Sequence, residues 1–138
     1  MIVLDTNIIS ELAKKNGNEN VIDWFYTLDR QSVVTTSITV AELLYGIYIL
    51  PDGKRKTELE KTVSYVLGEV LDNPVLEFDY SAAHAYGALC AKLRVEGIAI
   101  SQNDDMIAAI VLVHDGVLVT RNTKDFASCG IEVLNPFE

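Results

Sequence analysis

Cysteine, histidine and basic side chains are all scarce in this chain, and each scarcity closes off a class of function. The two cysteines, Cys90 and Cys129, are widely spaced and outside any Cys-x-x-Cys or Cys/His pattern. Neither a disulfide nor a structural zinc site is therefore expected. Cys90, in the helical run Ala88-Leu89-Cys90-Ala91, reads as a small core residue. His84 and His114 stand alone, with no partner at ligand spacing. Lysine and arginine number 11 against 20 aspartates and glutamates, for a net charge of -9. That balance argues against a surface that coats nucleic acid generically. It leaves room for carboxylates gathered around cations, and for a basic protein partner. Long apolar runs are missing too: even Val33 to Leu50 is interrupted by Thr, Ser, Glu and Gly, so no membrane span is expected. No basic region precedes the first apolar residues, which is unlike a signal peptide, and a cytoplasmic location is expected.

What is present suits one domain. At 138 residues and 49% apolar composition the chain can bury a core without staples, and no repeat, low-complexity tract or linker divides residues 1–138. The stretch Ile2 to Leu12 organises the rest. Ile2-Val3-Leu4, apolar without alternation, reads as a central parallel strand covered on both faces. Asp5, Thr6 and Asn7 then form the turn at its carboxyl end, where open α/β sheets place their ligand crevice. Asp5 has two readings here, a cap for the next helical turn or a carboxylate facing a site.

Downstream, Ser10 to Lys15 reads as a short helix, followed by the loop Asn16-Gly17-Asn18. Val21, Ile22, Trp24, Phe25 and Leu28 recur at helical spacing and read as core scaffold. Val33 to Thr36 is a second short strand, and Ser37 opens a helix through Ile47. In it Glu42 falls among Ile38, Tyr45, Gly46 and Ile49. If that stripe is buried, the carboxylate needs a partner or a metal; otherwise Glu42 sits at the stripe's solvent boundary. Leu50 to Gly53 is a turn, and Lys54-Arg55-Lys56 starts a polar helix to about Leu71, its basic triplet a weak hint of phosphate contact.

Asn73-Pro74 stops that helix, and Val75 to Phe78 is a third strand candidate. Asp79, Tyr80 or Ser81 caps a helix with the stripe Ala83, Tyr86, Leu89, Cys90 and Leu93, ended by Gly97. Its many small residues suit close helix packing or a dimer seam. The helix Met106 to His114 carries Ile107, Ala108, Val111 and Leu112 at helical offsets from Asp104. Asp104 is accordingly expected to head the buried face and Asp105 to be rotated away as a cap. After Gly116, Val117-Leu118-Val119-Thr120 repeats the opening logic, an apolar strand that empties into the polar turn Arg121 to Phe126. Ile131 to Leu134 reads as an edge strand, stopped by Asn135-Pro136.

Helices and short strands alternate throughout, which predicts an α/β fold with a parallel sheet. Right-handed crossovers bring Asp5, Glu42, Asp104 and Asp125 together. Carboxylates so gathered need counter-charge, and all-oxygen donors select a hard cation, Mg²⁺ or Mn²⁺. Such ions serve phosphodiester hydrolysis.

At this point the motifs carry a resemblance. Leu4-Asp5-Thr6-Asn7, Ser37-Ile38-Thr39-Val40-Ala41-Glu42-Leu43 with Gly46, Asp104-Asp105-Met106-Ile107-Ala108-Ala109, Val119-Thr120-Arg121-Asn122 and Asp125-Phe126 follow one another along essentially the whole chain. In that order they resemble the PIN domain, in the VapC and FitB-like toxin branch of type II toxin-antitoxin systems. The resemblance implies a five-stranded parallel sheet flanked by helices and a Mg²⁺- or Mn²⁺-dependent endoribonuclease acting on RNA. It also implies a homodimer and an antitoxin protein that blocks the acidic pocket. Asp5, Glu42 and Asp104 match the three acids of the family motif, while the fourth acidic position falls on Asn122 or on Asp125. Thr6 and Thr120 match supporting hydroxyls.

The rivals lack their own signatures. A haloacid-dehalogenase-like phosphatase needs a second Asp where this chain has Asn7, and a receiver domain needs an acidic pair after the first strand. Neither a P-loop nor a Gly-x-Gly-x-x-Gly fingerprint occurs. The alternative of another class is a non-catalytic PIN-fold subunit acting through a protein partner. Retention of all four acids, which repel one another in the folded state, speaks against it.

Overall fold

Two three-residue strands form the centre of the molecule, and their carboxyl ends set where everything polar goes. The computed structural model describes residues 1–138. Strand β1 (Ile2–Leu4) lies between β2 (Val33–Thr35) and β3 (Val117–Val119), with β4 (Glu132–Leu134) outside β3, all parallel in the order β2-β1-β3-β4. Ile2, Val3 and Leu4 are in register with Val33, Val34 and Thr35 on one side and with Val117, Leu118 and Val119 on the other.

The two-residue period of a strand divides the core in two. Leu4 and Val119 point to one face, which is covered by α1 (Thr6–Ala13), α2 (Glu19–Tyr26), α3 (Ser37–Tyr48) and α4 (Lys54–Tyr65) through residues such as Ile8, Phe25, Ile47 and Val63. Val3 and Leu118 point to the other, under α5 (Tyr80–Val95) and α6 (Gln102–His114), with Leu89, Leu93, Ile107, Val111 and Phe126. Burying each such side chain contributes about 1.5–3 kcal/mol. Trp24 and Phe25 belong to this core, as their spacing predicts. No helix is long and apolar enough to cross a membrane.

Several expectations are corrected. The sheet has four strands rather than five. Val75 to Phe78 makes a single parallel bridge, Leu76 to Thr36, in which the Leu76 amide donates to the Thr35 carbonyl and the Ser37 amide to the Leu76 carbonyl. A ladder cannot lengthen there. On one side Asn73 Nδ2 already occupies the Val33 carbonyl at 2.6 Å, next to Pro74, which has no amide to give. On the other, β2 turns into α3 at Ser37 and the Phe78 amide finds the Ser37 hydroxyl at 3.3 Å instead.

The first helix begins at Thr6, not Ser10, and α6 begins at Gln102, a turn ahead of Met106. In both cases a strong cap, Asp5 or Ser101, starts the helix early. Asp79 is the cap of α5, and Gly97 takes the left-handed conformation beyond its end, at φ 73°. After α6 that conformation falls instead on Asp115, at φ 50°. Gly116 is needed for space, since a Cβ there would stand 3.2 Å from Val3 Cγ2 and 3.3 Å from the Met1 carbonyl.

Candidate functional site

Parallel strands deliver their carboxyl ends to one edge, and β1 delivers Asp5 there. The Thr6 amide donates to Asp5 Oδ1 at 2.8 Å and the Thr120 hydroxyl to Asp5 Oδ2 at 2.7 Å. The two readings of Asp5 thus merge, for one oxygen caps α1 while the carboxylate as a whole faces a cleft. Thr120, fully buried at the end of β3, is a junction: its hydroxyl oxygen also accepts from Asn7 Nδ2 at 3.2 Å and from the Asn122 amide at 3.1 Å. The Arg121 amide donates to Asn7 Oδ1 at 2.9 Å, so the turns after β1 and β3 are stitched together.

Glu42 reaches the cleft from α3, where its Oε1 accepts from the Thr6 hydroxyl at 2.9 Å. The stripe expected to bury it does not. Tyr45, Gly46 and Ile49 are exposed, and α3 is buried instead along Thr39, Leu43 and Ile47. Glu42 is half-buried at the boundary, held by Thr6 rather than by a packed apolar face.

Asp104 lies in the first turn of α6, its amide accepted by the capping Ser101 hydroxyl at 3.2 Å. Here too the expected rotation is corrected: Asp104 is half-buried at the cleft, whereas Asp105 is the more buried of the pair and is not the cap. Asp105 Oδ1 has no hydrogen-bond partner. The helix carries five consecutive buried residues, Ile107 to Val111, so apolar spacing defines no single inward face.

The result is a cleft of about 380 Å³ without a hydrophobic residue in its lining: Asp5, Thr6, Asn7, Ser10, Glu11, Lys14, Glu42, Asp104, Arg121 and Asn122. Asp125, on the 3₁₀ turn Thr123–Phe126, is exposed and outside that lining, though its charge acts on Asp104. Sequence reasoning overlooked Asn7, Ser10, Glu11, Lys14 and Arg121. Four of these repeat at offsets of three, four and seven from Asn7, a polar helical face that a start at Ser10 concealed.

The charges in the cleft are unequal. Burial pushes the Asp5 carboxyl above its ordinary range, opposed by hydrogen bonds from Thr120, Thr6 and Asn7. Asp104 is pushed up to about 6, first by burial and then by the charges of Asp5, Asp125 and Glu42. Glu11 moves the other way, lowered by the Lys14 ammonium at 2.8 Å, and it also accepts the Asn18 amide at 2.9 Å. Glu11 is therefore neutralised internally, whereas Asp5, Glu42 and Asp104 take part in no ion pair. An excess of oxygen donors and negative charge, with no thiol or imidazole in the lining, fits a hard divalent cation. No three of the acids close into a ready-made cage.

The profile of the PIN domain matches residues 2–130. The plasmid stability protein StbB of Pseudomonas syringae pv. tomato is 40% identical over 138 residues, 100% of this chain and 99% of the relative. The VapC ribonuclease Y4jK of Sinorhizobium fredii is 36% identical, also over 100% of this chain and 99% of its own length. Toxin FitB of Neisseria gonorrhoeae is 34% identical over 99% of both chains. The crystal structure of FitAcB from the same bacterium superposes with a TM-score of 0.91 at 33% identity, covering 100% of this chain and 99% of that one.

Proposed function

This chain belongs to the PIN-domain family, and from that premise we propose that it is a metal-dependent endoribonuclease and the toxin of a type II toxin-antitoxin pair. The observation that carries the reading is the convergence of Asp5, Glu42 and Asp104, none of them ion-paired, on one wholly polar cleft. Those three carboxylates would hold Mg²⁺ or Mn²⁺, with Asp125 adding negative field from the rim. When bound, the cation would supply electrophilic assistance at the phosphodiester and offset the charge that develops there. The chain's own groups do the positioning. Thr120 and the Thr6 amide fix both oxygens of Asp5, and the Thr6 hydroxyl fixes one oxygen of Glu42. Asn122 presents a neutral amide to the cleft, where an acid would have added a further charge.

The same acidity suits inhibition by a basic segment of an antitoxin, delivered in the cytoplasm where the RNA substrates are. Exposed Tyr45 and Tyr48 on α3, with Ile49 at its C-terminal cap, provide an apolar face for a second copy in a homodimer.

Purified protein incubated with a mixed RNA pool in Mg²⁺, Mn²⁺ or EDTA, beside an Asp5→Asn control, tests the reading. Cleavage that requires the metal and disappears with Asp5→Asn supports the nuclease. Absence of both metal binding and cleavage would overturn it and favour a non-catalytic subunit acting through its partner.

A further inference from the structure

Lys14 and Arg121 are the cations in the lining of the polar cleft, and they are held differently. Lys14 is committed to Glu11, its Nζ standing 2.8 Å from Oε1. Arg121 takes part in no ion pair, although Asp5, Glu42 and Asp104 line the same cleft of about 380 Å³. A guanidinium on a long flexible stem, beside unpaired carboxylates, ordinarily closes on one of them through two parallel hydrogen bonds. Here a restraint holds it back.

The restraint is an aromatic ring from the segment after β4. The Arg121 guanidinium carbon lies 4.0 Å from the centroid of the Phe137 ring, within range for the ring face to attract the charge. Phe137 is itself anchored. Its amide donates to Asn135 Oδ1 at 2.9 Å, its carbonyl accepts from Asn20 Nδ2 of α2 at 2.9 Å, and its side chain packs against the core on that side of the sheet. The Arg121 backbone is fixed too, by its amide on Asn7 Oδ1. The charges of the cleft record the outcome. Arg121 helps to lower Glu11, whereas the charges that raise Asp104 are those of Asp5, Asp125 and Glu42. The guanidinium thus sits toward Glu11, one face on the ring and its N–H edge paired with no carboxylate. A planar fork of donors without an acid of its own matches two oxygens of a phosphate. Stacking occupies the face and leaves that edge open, so ring and phosphate do not compete.

Resting on the nuclease reading above, we infer that Arg121 grips the non-bridging oxygens of the phosphodiester being cleaved, and that Phe137 is the positioning residue that keeps Arg121 off the carboxylates. The ring presents the cation to the anionic substrate and leaves Asp5, Glu42 and Asp104 free for the metal.

Hydrolysis of bis(p-nitrophenyl) phosphate in Mn²⁺, and Mn²⁺ affinity by isothermal calorimetry, test this on the whole chain, with circular dichroism verifying that each variant folds. Arg121→Gln raises KM for the diester about 10-fold and leaves kcat within about two-fold. Phe137→Leu keeps an apolar filling without a ring face. Its KM rises about 3-fold and its Mn²⁺ affinity falls about 3-fold, because the released guanidinium turns to the acids. Phe137→Tyr, which keeps the face, restores both. The decisive protein carries Phe137→Leu and Arg121→Gln together: with no guanidinium to misplace, its Mn²⁺ affinity equals that of Arg121→Gln alone. A loss of Mn²⁺ affinity that persists in the double variant marks Phe137 as merely structural and overturns the inference, as does a Phe137→Leu protein with wild-type KM and Mn²⁺ affinity. The wild type separates the two readings. If it binds Mn²⁺ and cleaves the diester while the variants at 121 and 137 match it, the inference alone falls. If it neither binds Mn²⁺ nor cleaves, the nuclease reading falls and takes the inference with it.

Discussion

The two sides of the first turn of α6 hold adjacent carboxylates in opposite circumstances. On the cleft side, Asp104 feels the charges of Asp5, Asp125 and Glu42, and its proton is retained up to about 6 by burial and then by those like charges. On the far side, Asp105 is packed near Cys90 and Cys129, with one oxygen unpartnered and its carboxyl raised by burial. Cys129 is pushed up to about 11, by burial and then by the Asp105 charge, and so remains a neutral thiol. Both acids are costly to the fold. Only the cleft side offers a way to recover the cost by binding a cation, because only there do several charges share one solvent-accessible space.

Breaking the comparison begins with Asp104→Asn, expected to lower kcat for RNA cleavage by about 10²–10³-fold under saturating Mn²⁺. If Asp105→Asn fell as far, the two sides would not be functionally distinct. Next comes Thr120→Val, which removes the hydroxyl from Asp5 Oδ2 while keeping the shape. Metal affinity by isothermal calorimetry should weaken about 10–100-fold, and unfolding free energy should fall by about 1.5–3 kcal/mol. Asp125→Asn, removing an exposed charge at the rim, should reduce cleavage only about 3-fold, with the larger loss at low salt.

A pH series sharpens the contrast further. Without divalent cation, native Asp104 keeps its proton up to about 6 whereas the unfolded chain releases it near 3.8. Its contribution to stability is therefore fully present below 3.8 and is lost as pH rises through about 6. Denaturant unfolding should show the wild type losing about 1 kcal/mol relative to Asp104→Asn over that window, a small figure because the group is partly solvated. Saturating Mn²⁺ should abolish the difference. The smallest effect on activity is expected from Asp105→Asn, with cleavage within about two-fold of wild type and stability at pH 7 raised by about 1 kcal/mol, since burial of an uncompensated charge is relieved.

Much of the site was legible because its signals are local. An unalternating apolar triplet followed by Asp5-Thr6-Asn7, and another followed by Thr120-Arg121-Asn122, mark strands emptying into polar turns. Glu42 is conspicuous among apolar neighbours for the same reason. Arg121 was less legible. It lines the cleft with its guanidinium 4.0 Å from the Phe137 ring, a contact between a turn and the chain terminus that no local pattern encodes. The polar face of α1 was hidden by a helix start placed four residues late.

By itself the sequence determined the alternation of helices and strands, the two central strands, and the identity of the acids, since each follows from residue type and spacing along the chain. Only the tertiary structure decided how many strands pair, which face of α3 is buried, and which of Asp104 and Asp105 is the more deeply buried. Helical periodicity fixes relative angles about an axis, but the absolute rotation is set by what packs on each side. For α6, lodged between the sheet and α5 and buried nearly all round, the apolar pattern has no unique direction to report.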